Sequence, residues 1–128
     1  MDAGELRRLC LALPGSFEDF PFGPESSVFK VRAAGGKAKM FALAALEADP
    51  LMISLKCEPE LAQQLRGAHP QISGAWHMNK THWNQVEVAG GLPQDMIRDL
   101  VEDSYDLVVA SLPKKDRESL AWKGLAGG

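Results

Sequence analysis

The chain has 128 residues, 45% hydrophobic and 24% charged, with a formal net charge of -3 and a pI near 5.6. That length suits one domain with its own core, and the composition excludes a disordered, fibrous or repeat protein. The acidic total excludes indiscriminate attraction to nucleic-acid phosphates, so any such contact must come from a local patch.

The longest apolar run, residues 40–46, is far short of the roughly 20 residues a membrane-spanning helix needs. The start Met1-Asp2-Ala3-Gly4-Glu5 lacks the basic stretch of a secretory signal. Cys10 and Cys57 are too few for a disulfide framework and read as small buried hydrophobes. A cytoplasmic protein with no membrane contact is expected.

Asp2 and Glu5 have capping-box spacing, and Leu6, Leu9, Cys10 and Leu13 follow at helical intervals, which predicts a first helix ended by Pro14-Gly15. Residues 16–23 read as an extended edge segment carrying Phe17, Phe20 and Phe22. Residues 27–31 and 37–46 are strand-like and joined through Gly35-Gly36, a pair suited to a two-residue turn. That turn would set Arg32 opposite Lys39, Lys30 opposite Phe41 and Val28 opposite Leu43. Lys30, Arg32, Lys37 and Lys39 would then share one face, with Glu18-Asp19 or Glu25 near enough to offset them.

A fourth extended run covers residues 50–56, and Pro59 opens a short helix ended by Gly67. A second hairpin is expected with residues 74–78 leading out, Asn79-Lys80-Thr81 at the tip and residues 82–88 returning. It holds Trp76, His77, His82 and Trp83, residue types unusual in an ordinary turn. Leu92-Pro93 opens the longest helix, with Met96, Ile97, Leu100, Val101, Ser104, Leu107, Val108 and Ser111 on one face and Arg98, Asp99, Glu102, Asp103 and Asp106 on the other. Pro113 interrupts it, one or two further turns follow, and residues 123–128 form a tail. The order predicts an α+β two-layer sandwich, an antiparallel sheet with helices on one face, in the order helix, three or four strands, helix, two strands, helix, over a single domain 1–128.

Pro14-Gly15, Phe20-Pro21-Phe22-Gly23, Val28-Phe29-Lys30-Val31, Lys39-Met40-Phe41-Ala42, Ser54-Leu55-Lys56, His77-Met78-Asn79-Lys80, His82-Trp83, Leu92-Pro93 and Ser104-Tyr105, in this order, resemble the MmcQ/YjbR family of small bacterial proteins. The resemblance spans nearly the whole chain. It implies a fold similar to type III secretion chaperones and a role in binding DNA through a double wing of two β-hairpins, here residues 30–41 and 76–83. The family's first wing is shorter; the stretch from Arg32 to Ala38 lengthens it here and adds charge.

The nucleic-acid contacts this implies are Lys30, Arg32, Lys37, Lys39, Lys56, His77, Asn79, Lys80, His82 and Trp83. Cations would meet phosphates, Trp83 and Trp76 would stack on bases, and the histidines would bond to base edges. Each has a plainer reading: edge lysines discourage aggregation, at least one Trp fills core, and the histidines bond to backbone. Ser104 and Tyr105 fit packing and internal hydrogen bonds. His77, His82, His69 and Cys57 lack the close, repeated spacing of a zinc site, and no catalytic signature is present, so no metal, cofactor or reaction is expected. The alternative function is a protein-interaction or chaperone-like module, with a protein partner or homodimer.

Overall fold

The computed structural model describes residues 1–76 and 78–120; the tail expected at 123–128 lies outside them. Asp2 caps α1 (Ala3–Leu11) by accepting the Glu5 N–H at 2.8 Å, while the Glu5 carboxylate accepts the Asp2 N–H. The capping box therefore forms as its spacing predicts. Four strands follow: β1 (Ser16–Asp19), β2 (Ser27–Val31), β3 (Lys39–Ala44) and β4 (Met52–Lys56). Then come α2 (Pro59–Ala68), β5 (Ile72–Gly74), β6 (Trp83–Glu87), α3 (Gln94–Ala110) and α4 (Lys114–Ser119). Helix α2 runs through Gly67 instead of ending there, and the His69 N–H closes on the Leu65 carbonyl.

The strands form one antiparallel sheet in the order β1-β2-β3-β4-β6-β5. The fold is α+β, as expected. Helix α1 packs near β1, α2 near β5 and β6, and α3 across β2, β3 and β4. Phe29, Val31, Phe41, Ile53, Leu55 and Val86 point to that side and join Leu6, Ile97, Val101 and Val108 in one core. Strand side chains alternate, so Lys30, Met40, Leu43, Ser54, Lys56, Trp83 and Gln85 take the other side. Among the described residues that side carries no helix.

The β2–β3 register departs from the sequence expectation. The turn closes one residue early, by the Gly36 N–H on the Ala33 carbonyl at 2.9 Å, with Gly35 at φ 77° supplying the left-handed residue. Val28 faces Leu43 as expected, but Lys30 faces Met40 and Val31 faces Lys39, because Phe41 is an extra residue in β3. This is a β-bulge, and a bulge leaves ladder groups without strand partners. Ser104 of α3, fully buried, supplies them. Its Oγ donates to the Phe41 carbonyl at 2.6 Å and accepts the Lys56 N–H at 2.8 Å. The neighbouring Tyr105 hydroxyl donates to the Pro14 carbonyl at 2.5 Å and meets Phe41 edge-on.

Replacing Ser104 by Ala strands a buried carbonyl and a buried N–H, a change that costs about 1–3 kcal/mol. The expected outcome is a lower urea midpoint at unchanged slope; an unchanged midpoint would show that the bulge stands without the hydroxyl.

Candidate nucleic-acid interface

The first hairpin does not present a one-sided cationic ribbon. Lys30 stands on the open side of the sheet, but its ammonium is 2.8 Å from the Asp19 carboxylate of β1. Lys39 stands on the helical side, level with Val31, and its Nζ donates to Ser111 Oγ at 3.1 Å. The bulge causes this reversal, because one extra residue exchanges the faces of everything beyond it. Arg32 lies beyond the end of β2, its guanidinium 5.0 Å from the centre of the Phe17 ring. Lys37 is exposed in the loop 32–38. That loop lies against α4: a Cβ at Gly36 would come within 2.9 Å of the Asp116 carboxylate. The base of the tip at Gly36 thus lies beside α4.

The second hairpin has shorter strands and a wider loop than expected. β5 ends at Gly74 and β6 begins at Trp83, so Trp76 lies in the loop 75–82 and not on a strand. Asn79 shapes that loop. Its Oδ1 accepts the Thr81 N–H at 2.9 Å, and its carbonyl accepts the N–H groups of His82 and Trp83. The His82 carbonyl accepts the Cys57 N–H at 2.8 Å, tying the loop to the end of β4, while the His82 side chain is exposed. His77 lies outside the described residues. Neither Trp76 nor Trp83 belongs to the core, so the expectation of a core Trp does not hold for this hairpin.

Trp76 is 72% exposed, with the Lys80 ammonium 5.6 Å from its ring centre. Trp83 is half-buried on the open side, directly across from Lys56. The open side therefore pairs cations with rings: Arg32 on Phe17, Lys80 on Trp76, and Lys56 beside Trp83. In the first two pairs the cation is drawn to the ring by its quadrupole; Lys56 and Trp83 are neighbours by strand register. Trp76 and Met78 also line a shallow cavity of about 260 Å³ with Leu43, Met52, Ser54 and Gln85.

Of the residues picked from sequence, Lys30, Lys56, Lys80, Arg32 and Trp83 belong to this side or its rim. Lys39 does not, and Asn79 acts on its own backbone. Phe17, Met40 and Gln85 were missed, although alternation along β1 and β6 would have placed Phe17 with Asp19 and Trp83 with Gln85. Among the described residues no group of three or more His, Cys, Asp or Glu side chains is placed to hold a metal, and no helix is long and apolar enough to cross a membrane.

The sequence profile of the YjbR family matches residues 11–107. The chain belongs to the YjbR family. It is 38% identical over 112 residues to Escherichia coli O157:H7 YbdF, covering 88% of each chain. It is 33% identical over 120 residues to YjbR of Escherichia coli K12, covering 94% of this chain and 98% of that one. The crystal structure of Deinococcus radiodurans DR2400 superposes with a TM-score of 0.89 at 41% identity, covering 99% of this chain and 94% of that chain. A Pseudomonas syringae crystal structure follows with a TM-score of 0.71 at 30% identity, over 84% and 98%.

The Lys30 ammonium, then the Phe20 N–H, hold the Asp19 carboxyl below the ordinary carboxylate range. A lowered carboxylate contributes stability that is present above its unfolded pKa and is lost as the pH falls through its folded value. In an NMR titration, Lys30→Ala is expected to move the Asp19 midpoint back up towards the ordinary range; an unmoved midpoint would show that the pair is not formed in solution.

Proposed function

We propose that this YjbR-family protein binds nucleic acid, DNA in the first instance, as a single strand laid across the open side of its sheet. The observation that carries the reading is the interleaving of rings and cations there: Phe17 with Arg32, Trp83 with Lys56, and Trp76 with Lys80. Trp76 is exposed and Phe17 and Trp83 are half-buried; aromatic rings stack on bases without regard to sequence, and adjacent cations contact phosphates. This mode differs from two wings in the grooves of a duplex. The first hairpin's cations face opposite ways and one is matched by Asp19, which disfavours a groove-filling basic ribbon. The reading assigns no reaction and no cofactor.

A second reading, a protein-interaction module, has its own support in Phe22, which is 70% exposed on the β1–β2 loop. Phe20, also exposed, lines a cavity with Leu46 and Ala48 close by. Exposed aromatic side chains are typical anchors of protein interfaces. That site lies at the β1–β2 and β3–β4 loops.

Titration with an oligothymidylate, followed by tryptophan fluorescence, tests the first reading. Quenching is expected, with a log–log salt slope of about -2 for roughly three phosphate contacts. Lys56→Glu or Trp83→Ala should each weaken binding by about tenfold or more, the loss of one stacked base or one contact. Lys39→Glu, on the opposite side of the sheet, should change little. No quenching at low salt, or equal loss from Lys39→Glu and Lys56→Glu, would sink the reading. A concentration-dependent dimer that Phe22→Ser dissolves and high salt does not would favour the second.

A further inference from the structure

The helical side of the sheet holds a second cavity, about 200 Å³ in volume, between α2 and α3. Leu55, Leu61, Leu65, Ile72, Leu100 and Leu107 form most of its wall. An apolar cavity of about 150 Å³ accommodates benzene, so this one has room for a single ring with a short arm. Its polar border is made by Asn84, Glu58 and Asp103, with Lys56 and Cys57 at the end of β4. Asn84 lines the cavity and is only 3% exposed. Its Nδ2 donates to the Ala62 carbonyl of α2 at 3.3 Å. A carbonyl only accepts, which fixes the orientation of the amide and leaves Oδ1 as the atom without a partner.

Asp103 of α3 and Glu58 at the start of α2 both line the cavity, together with Cys57. Partial burial, then the charges of Asp106, Asp99 and Glu58, push the Asp103 carboxyl up. The Cys57 thiol is pushed up as well, by burial first and then by Asp103 and Glu58, with Arg66 acting the other way. The side chains of Asn84, Asp103 and Glu58 accept hydrogen bonds, while Lys56 borders the cavity at the end of β4 and strand alternation turns its side chain toward the open side, level with Trp83. A buried acceptor in a low-dielectric wall makes the strongest bond available to it with a charged donor.

We propose that the α2–α3 cavity binds a primary amine carried on a small apolar body, with its ring or chain among the leucines. The ammonium donates to Asn84 Oδ1 and its charge is balanced by Asp103 and Glu58. The site lies across the sheet from the open side and does not depend on nucleic-acid binding.

Phenethylamine serves as the probe in an NMR titration of the full chain, beside 2-phenylethanol, its neutral counterpart, and 3-phenylpropionate, an anion. Phenethylamine is expected to give saturable shifts at the Asn84 side-chain amide and at Leu61 and Asp103. The alcohol should bind about tenfold more weakly, for want of a charge-assisted bond, and the anion should give no saturable shift. Asp103→Asn, a change at the exposed rim, should leave the fold intact and narrow the preference for amine over alcohol to about twofold or less. The absence of saturable shifts at these residues would overturn the proposal. So would equal response to the three compounds, or an unaltered preference in Asp103→Asn.

Discussion

The hydroxyl of Ser104 sits at the point on which the rest of the molecule turns. It reaches from α3 to the Phe41 carbonyl and the Lys56 N–H, two groups on adjacent strands at the place where the ladder is interrupted. A bulge puts one residue too many into a strand, and the surplus backbone groups must bond or cost the structure their desolvation. Here the partner comes from the helix that packs on the sheet. The same oxygen therefore docks α3, closes the gap between β3 and β4, and fixes which side of the sheet each residue beyond Phe41 takes. Lys39 passes to the helical side and Met40 to the open one. The charge pattern of the first hairpin is in this sense a consequence of backbone accounting.

The cations that remain are handled in two ways. Some are matched inside the molecule: Lys30 by Asp19, and Arg7 by Glu18, which also accepts from Ser27. Such exposed or half-exposed pairs add little to stability, but they remove charge from the surface offered to a partner. Arg32 and Lys80 instead lie over aromatic rings, and Lys56 stands across from one. A cation over a ring keeps its charge and its outward donors. The open side is thus weakly charged where carboxylates are near and cationic where rings are near.

The elements set by local chemistry were legible in the sequence. The Asp2–Glu5 spacing gave the capping box, Pro59 the start of α2, and the wide apolar face of residues 96–111 the length of α3. Ser104 on that face pointed correctly to an internal bond. The bulge was not legible. The hydroxyl that bonds its surplus groups is 63 residues from Phe41 and 48 from Lys56, and three adjoining positions, Ala34, Gly35 and Gly36, all allow a tight turn. Periodicity specifies a register only if the turn is known, and a shift of one residue reverses every side chain. The loop 75–82 was misread for a related reason. Its Asn79 Asx turn and its tie to Cys57 replace ladder bonds with loop bonds, so residues with strand-like composition leave the sheet at Gly74. Trp76 consequently stands exposed where alternation would have buried one Trp of the pair.

The two sides of the sheet differ in the sign of what they present, and this bears on how an acidic protein could hold a polyanion. The outward positions of α3 carry Asp99, Glu102, Asp103 and Asp106, whereas the open side carries Lys30, Lys56 and the ring-bound cations. Packed layers lie about 10 Å apart, so the acidic residues of α3 are at least that far from the open side. The Debye length at physiological ionic strength is about 8 Å. Screening therefore attenuates the repulsion from α3 before it reaches the open side, while contacts made directly on that side are felt at short range. A net charge of -3 therefore does not set the sign of the local field on the open side, which follows from the charges nearest to it.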